Sequence, residues 1–337
     1  MPETGMSVAT QQAILYDALT PDRLELILFP TEQCNFRCTY CYEDFAKGRM
    51  STEIISAVKA LIDRRVMNLK WLHISWFGGE PMIAYDIVSD MMRYAHSRCM
   101  AAGIRFSAAA TTNGYNLTKE RFIELDRLNM QTYQISLDGA AEAHDQTRLR
   151  IDGAGTFGRI WKNIVAFDEA RREGQIRNSS ILLRLHVTPS NVESVHELAS
   201  LIDEQLEPDG FVVHVKNVGH YGGKSDADRK VLNAWQPEYK EIEKRVYSKL
   251  SRFTPAFSDA VYVCYACKAN SLSIRSDGTL NKCTVALNSE SNRIGSINLD
   301  GTLSIDNQKI QRWLKPLETM DKGALGCPVR HLATATS

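Results

Sequence analysis

Three of the chain's eight cysteines fall in one eight-residue window, Cys34-Asn-Phe-Arg-Cys38-Thr-Tyr-Cys41. The C-x3-C-x2-C spacing holds three thiolates on one short loop and supplies no fourth. Thiolates are the usual ligands of iron–sulfur clusters, and three of them on a four-iron cluster leave one iron with an open position. Open positions distinguish reactive metal sites from closed structural ones, as they do for zinc. A zinc knuckle would need a fourth nearby Cys or His, and the next histidine is His73.

Such a loop needs a scaffold. Short apolar runs at 25–30, 72–77, 104–111, 131–137, 181–187 and 211–215 predict strands. Amphipathic runs at 51–67, 84–102, 118–128, 156–171 and 192–204 predict the helices between them. Ser51 with Glu53, and Thr118 with Glu120, are helix-start signals. Strands that alternate with helices imply a parallel sheet, either open and doubly wound or closed as a barrel. In both cases the working residues belong at the carboxyl ends of the strands. The cysteine loop follows the first strand and so lies at such an end. Residues 1–23 read as a polar lead-in and 24–218 as the main α/β unit. Residues 219–260 read as a bridge, with a polar loop over 221–229 and a helix over 237–250. The stretch 261–337 holds four of the other five cysteines, and its Asp277-Gly278 pair between alternating runs predicts a β-hairpin over 271–283.

The 337 residues carry 40 basic and 40 acidic side chains, so no net field draws the chain to nucleic acid or to an anionic membrane. No apolar run approaches about twenty residues, the length of a spanning helix. The start lacks the basic-then-apolar pattern of a secretory signal. These features predict a soluble, cytoplasmic, metal-binding globular protein, where clustered cysteines serve metals or catalysis rather than disulfides.

With the loop and the strand order in hand, the chain resembles the radical S-adenosylmethionine (radical SAM) superfamily, whose signature is C-x3-C-x-aromatic-C after the first strand. Cys34, Cys38, Tyr40 and Cys41 match it. The resemblance implies a partial (β/α)6 TIM-type barrel over roughly 24–216. It also implies a [4Fe–4S] cluster on the three cysteines, with SAM bound through its amino and carboxylate groups at the open iron. Reductive cleavage then gives methionine and a 5′-deoxyadenosyl radical that removes a hydrogen atom from substrate. Further matches lie at strand ends. Gly78-Gly79-Glu80-Pro81 resembles the segment that receives the SAM ammonium, paired glycines allowing close backbone approach and a carboxylate suiting a cation. Asn113 ends the third strand. Ser136 and Asp138 share one face of the fourth, and Arg148 is the best match for the arginine that meets the SAM carboxylate, with Arg150 a competitor.

Cys264, Cys267, Gly278 and Cys283 resemble the opening of the SPASM and twitch domains appended to many of these enzymes. On that resemblance Cys264, Cys267, Cys283 and Cys327 form the ligand set of one auxiliary [4Fe–4S] cluster. They also suit a four-cysteine zinc site. A full SPASM domain carries more cysteines after the hairpin, so 261–337 is expected to be a twitch or truncated SPASM domain, a small cysteine-rich α+β unit. Cys99 is left over and reads as a packed thiol. His214 and His220 flank a strand end.

The expected activity is oxidation or crosslinking of a ribosomally made precursor peptide. An electron donor such as ferredoxin or flavodoxin is implied. The short segment before the first strand leaves leader recognition to the barrel, the twitch domain or a separate leader-binding protein. The alternatives are a dehydrogenase of a small sugar or cyclitol alcohol, and a zinc- or cluster-binding interaction protein without activity. No catalytic acid or base is isolated by motif.

Overall fold

Period-two alternation sets the architecture. Leu24, Leu26 and Leu28 of the first strand, and Leu72, Ile74 and Trp76 of the second, are all but fully buried, while Glu25, Trp71, His73 and Ser75 between them are half-buried. One face of each strand therefore packs under helices, and the other faces an uncovered lumen. The computed structural model describes residues 6–220, 230–256 and 261–332, so the expected loop over 221–229 lies outside the described residues.

The chain opens with helix α1 (Val8–Leu19), then runs β1 (Arg23–Leu28), α2 (Thr52–Val66), β2 (Trp71–Trp76), α3 (Tyr85–Ala102), β3 (Arg105–Thr112), α4 (Lys119–Arg127) and β4 (Met130–Leu137). It continues through α5 (Ala141–Thr147), α6 (Phe157–Arg172), β5 (Ser180–Val187), α7 (Val192–Gln205) and β6 (Phe211–Asn217). Strands β1 to β6 are hydrogen-bonded in sequence order and parallel, the sheet of a partial (β/α)6 barrel. Ser51 caps α2 by accepting from the Ile54 N–H, whereas Thr118 makes no side-chain cap on α4. The core between sheet and helices includes Val58, Ile62, Val88, Met92, Phe122, Ile164, Phe167 and Ile202, with Cys99 packed among them. The rings of Phe122 and Tyr133 meet edge-on at 4.9 Å, a favoured aromatic geometry.

Helix α8 (Pro237–Lys249) and the two-residue β7 (Thr254–Pro255) close the β6 edge. The cysteine-rich stretch then adds β8 (Ser271–Ile274), β9 (Thr279–Asn281), β10 (Arg293–Ile297) and β11 (Leu303–Ile305), followed by short helices α9 (Asn307–Leu314), α10 (Pro316–Thr319), α11 (Lys322–Gly326) and α12 (Val329–Leu332). The β8–β9 hairpin forms where the Asp277-Gly278 pair predicts it. Its placement is not visible in the sequence: β8 pairs in parallel with β1, so the hairpin extends the barrel sheet rather than forming a sheet of its own.

The segment read as a polar lead-in contains α1, which packs into a second small core. Ala18 is buried there with Leu317, Met320 and Leu325, against Ile14, Leu15 and Val263. The Ala269 N–H donates to the Ala18 carbonyl, and Lys268 pairs with Asp17 at 2.6 Å. The chain before β1 thus braces the C-terminal cysteine region.

Candidate functional site

The loop after β1 is held by its backbone. The Arg37 N–H donates to the Leu149 carbonyl (2.8 Å), Thr39 to Thr147 (2.9 Å) and Ile151 to Asn35 (3.0 Å), so the segment after α5 lies alongside the three cysteines. Phe36, wedged between the first two, is buried in the main core. The turn closes with the Cys41 N–H donating to the Cys38 carbonyl at 3.1 Å. The Phe36 N–H donates to Cys34 Sγ at 3.3 Å, and Asn113 Nδ2 lies 4.0 Å from the same sulfur.

All three thiols are half-buried. Burial pushes Cys34 well up, with Glu80, Cys38 and Cys41 adding to the shift. Burial raises Cys38 too, opposed by Arg148, and pushes Cys41 up to about 11. Three crowded thiols that resist ionisation alone form a donor set whose thiolates need a cationic partner. That chemistry fits an iron–sulfur cluster.

Behind Cys38 lies a buried polar network. The Tyr40 hydroxyl donates to Asp138 Oδ1 (2.9 Å), accepts from Arg148 Nη1 (2.7 Å) and lies 3.1 Å from His186 Nδ1. Thr147 Oγ1 donates to Asp138 Oδ2 at 2.7 Å. Burial alone would raise Asp138, but the His186 hydrogen bond and the Arg148 charge hold it well below the usual carboxylate range. Arg148 Nε has no partner among the described residues. The Asp138 N–H donates to His144 Nδ1, so the ring carries its proton on Nε2, facing Thr156 Oγ1 at 3.1 Å. Burial, with Arg148 nearby, lowers His144 to about 4. Asp145 accepts from the Thr156 and Phe157 N–H groups, and a Cβ on Gly155 would meet its carboxylate at 2.3 Å.

The Gly-Gly-Glu-Pro turn packs closely against the first cysteine loop. The close approach that its glycines permit is made by the chain's own backbone at 31–33. A Cβ on Gly78, whose φ is +113°, would fall 2.3 Å from the Thr31 carbonyl oxygen, and one on Gly79 2.4 Å from that of Gln33. Glu80 is fully buried, and its carboxylate accepts from Thr112 Oγ1 (2.7 Å), the Asn113 N–H (2.6 Å) and the Met82 N–H (2.9 Å). It acts as a strut between the β2 turn, begun by buried Pro81, and the end of β3.

Ser136 is half-buried on the uncovered face of β4, in register with Arg184 of β5, which is in register with His214 of β6. Burial, with Arg184, Lys216 and His186, lowers His214 to about 4. Arg184 and His186 were missed from sequence. Their signal was polar residues at alternate positions of an otherwise apolar strand.

The second cysteine set assembles around the hairpin. Cys264 to Cys267 form a 3₁₀ turn, the Cys264 N–H donates to the Leu325 carbonyl at 2.8 Å, and buried Asn292 accepts from both the Lys282 and Cys283 N–H groups. Burial pushes Cys264 up to about 11, with Cys283 and Cys327 contributing, and Cys267 up to about 12, with Cys264 and Cys327 contributing. All four sulfurs are thus electrostatic neighbours. Among the described residues, no three Cys, His, Asp or Glu side chains converge closely enough for a single metal ion.

A family model described as "Radical SAM superfamily" matches residues 28–201. A GTP 3',8-cyclase of Haemophilus influenzae is 25% identical over 219 residues, covering 62% of this chain and 61% of that protein. A cysteine-type anaerobic sulfatase-maturating enzyme of Clostridium novyi is 26% identical over 164 residues, 45% of this chain and 42% of that one. The chain thus spans about six-tenths of the GTP 3',8-cyclase, with which it shares the longer match. A solved structure described as native anSMEcpe with bound AdoMet and Cp18Cys peptide superimposes with a TM-score of 0.66 and 17% identity, over 88% of this chain and 83% of that one. The last is a likeness of fold.

Proposed function

Since this chain belongs to the radical SAM superfamily and is an enzyme of it, we propose that it oxidatively modifies a ribosomally made peptide, by crosslinking or side-chain oxidation. Cys34, Cys38 and Cys41 hold a [4Fe–4S] cluster that, when loaded and reduced, cleaves bound SAM to the hydrogen-abstracting 5′-deoxyadenosyl radical. The observation that carries this reading is the convergence of the three thiols with the ends of β2, β3 and β4 at one end of a parallel sheet. Asn113 sets its amide against Cys34, and Arg148 Nε has no partner among the described residues. Both suit the amino-acid end of SAM, as does Ser136 on the same rim. Glu80 contributes by fixing the Gly78–Gly79 turn, its own oxygens being engaged by protein donors.

In the same reading Cys264, Cys267, Cys283 and Cys327 hold one auxiliary [4Fe–4S] cluster in a twitch-like unit over 261–337. Four thiols that feel one another's charge are a complete ligand set for such a cluster. A peptide substrate is supported by the maturase relative. A low-potential electron donor such as ferredoxin or flavodoxin, and a leader-binding partner, complete the scheme in the cytoplasm. No helix among the described residues is long and apolar enough to cross a membrane.

The uncovered faces of β5 and β6 favour a second reading. Arg184, His214 and Lys216 line one wall and suit a small substrate bearing phosphate. Two measurements decide. The anaerobically reconstituted chain, given reductant and SAM, releases 5′-deoxyadenosine, and a Cys34→Ala, Cys38→Ala, Cys41→Ala variant does not; cleavage persisting in that variant sinks the assignment. Co-expression with peptides encoded beside the gene yields a peptide of altered mass. Unchanged peptides together with a converted nucleotide would transfer the case to the second reading.

A further inference from the structure

Between the two cysteine sets lies a small cluster, Ile27, Phe29 and Leu287, with Tyr42, Phe77 and Tyr265 packed against it. Tyr42 directly follows Cys41, and its hydroxyl donates to the Thr284 carbonyl at 3.2 Å. Thr284 directly follows Cys283, and its hydroxyl lies 2.7 Å from that of Tyr265. The Tyr42 phenol is close enough to feel the thiols of both Cys41 and Cys283. A short covalent path with one hydrogen bond therefore joins a cysteine of the first set to a cysteine of the second.

We propose that Tyr42 is the electronic bridge between the two sites, carrying one electron from the Cys283 side to the Cys41 side in each oxidative turnover. This rests on the reading of both cysteine sets as cluster ligands. Substrate gives up a hydrogen atom to the 5′ carbon, then one proton and one electron. The electron enters the four-cysteine site, crosses Tyr42, and replaces at the first site the electron spent on splitting SAM. One SAM becomes methionine and 5′-deoxyadenosine, substrate loses two hydrogens, one proton is released, and no net reductant is used.

The test compares wild type, Tyr42→Phe and Tyr42→Leu as full chains reconstituted anaerobically. Phe keeps the ring and the packing but deletes the hydrogen bond; Leu deletes the ring. Each is photoreduced by less than one electron per chain, frozen at intervals, and read by EPR for how the electron distributes between the sites, with iron content and midpoint potentials measured alongside. Unchanged iron and potentials with slower redistribution in Phe, and slower again in Leu, support the bridge. In turnover the variants then consume one added electron per 5′-deoxyadenosine where wild type recycles it. Wild-type redistribution in both variants overturns the role of Tyr42 and leaves the cluster reading intact. A wild-type chain holding about four irons rather than about eight, whatever stands at Cys264 and Cys283, overturns the auxiliary cluster itself and the bridge with it.

Discussion

Glu32 and Arg275 form a two-pronged ion pair, both side chains buried, that ties the approach to the first cysteine loop to the tip of the β8–β9 hairpin. Arg275 Nε donates to Glu32 Oε1 at 3.1 Å, its Nη2 engages Oε2, and its Nη1 donates to the Leu287 carbonyl. Ser276 Oγ donates to the same carboxylate. The two cysteine sites are therefore fastened by a fork whose donors and acceptors are matched.

Removing one partner leaves a buried charge unpaired, which costs about 3–5 kcal/mol. Arg275→Met should lower stability by that amount in anaerobic denaturant titration. Glu32→Gln with Arg275→Met should recover much of the loss, because the stranded charge is gone. A double variant as unstable as the single one would show that the pair's charge is not what matters.

Gly79→Ala drives a methyl group into backbone that cannot swing away, since Gln33 is one residue from Cys34. Overpacking of this kind costs about 1–3 kcal/mol. Iron should be lost from the first site while the second retains its own, resolvable by metal analysis and by the EPR signals of the two.

Tyr40→Phe deletes the hydroxyl at the centre of Asp138, Arg148 and His186. Buried groups left unsatisfied cost about 1–3 kcal/mol. Melting should fall accordingly with iron binding retained, and SAM affinity should fall as Arg148 loses its anchor. An unchanged SAM dissociation constant would separate the network from cofactor binding.

His144 gives the fold a pH dependence. It is completely buried, neutral and lowered to about 4, whereas an unfolded histidine titrates at 6.5. Its contribution is complete above 6.5 and drains away as pH falls toward 4, because the unfolded chain takes up the proton first. The total is on the order of 3 kcal/mol. His144→Asn should flatten the decline in stability between pH 6.5 and 5; a slope equal to that of wild type would refute the assignment.

The sequence made the parallel strands and the first cysteine loop legible because both are local: alternation fixes a strand, and three ligands share one turn. The parallel pairing of β8 with β1 was invisible, since partners distant along the chain leave no periodic trace. Helix α1 hid for a related reason. Its apolar residues, Ile14, Leu15 and Ala18, serve a core supplied from the other end of the described chain. The glycine turn was found for its motif, whereas the contact that forbids a side chain at Gly79 was not visible, because it comes from Gln33.

The register of Glu25 with Ser271 bears on assembly. β1 can hydrogen-bond to β2 as soon as both exist, but its other edge stays bare until a strand from late in the chain docks. Non-local pairings of this kind are slow to form. The first cysteine loop, which springs from β1, therefore rests on a strand whose second edge is completed only by residues 271–274.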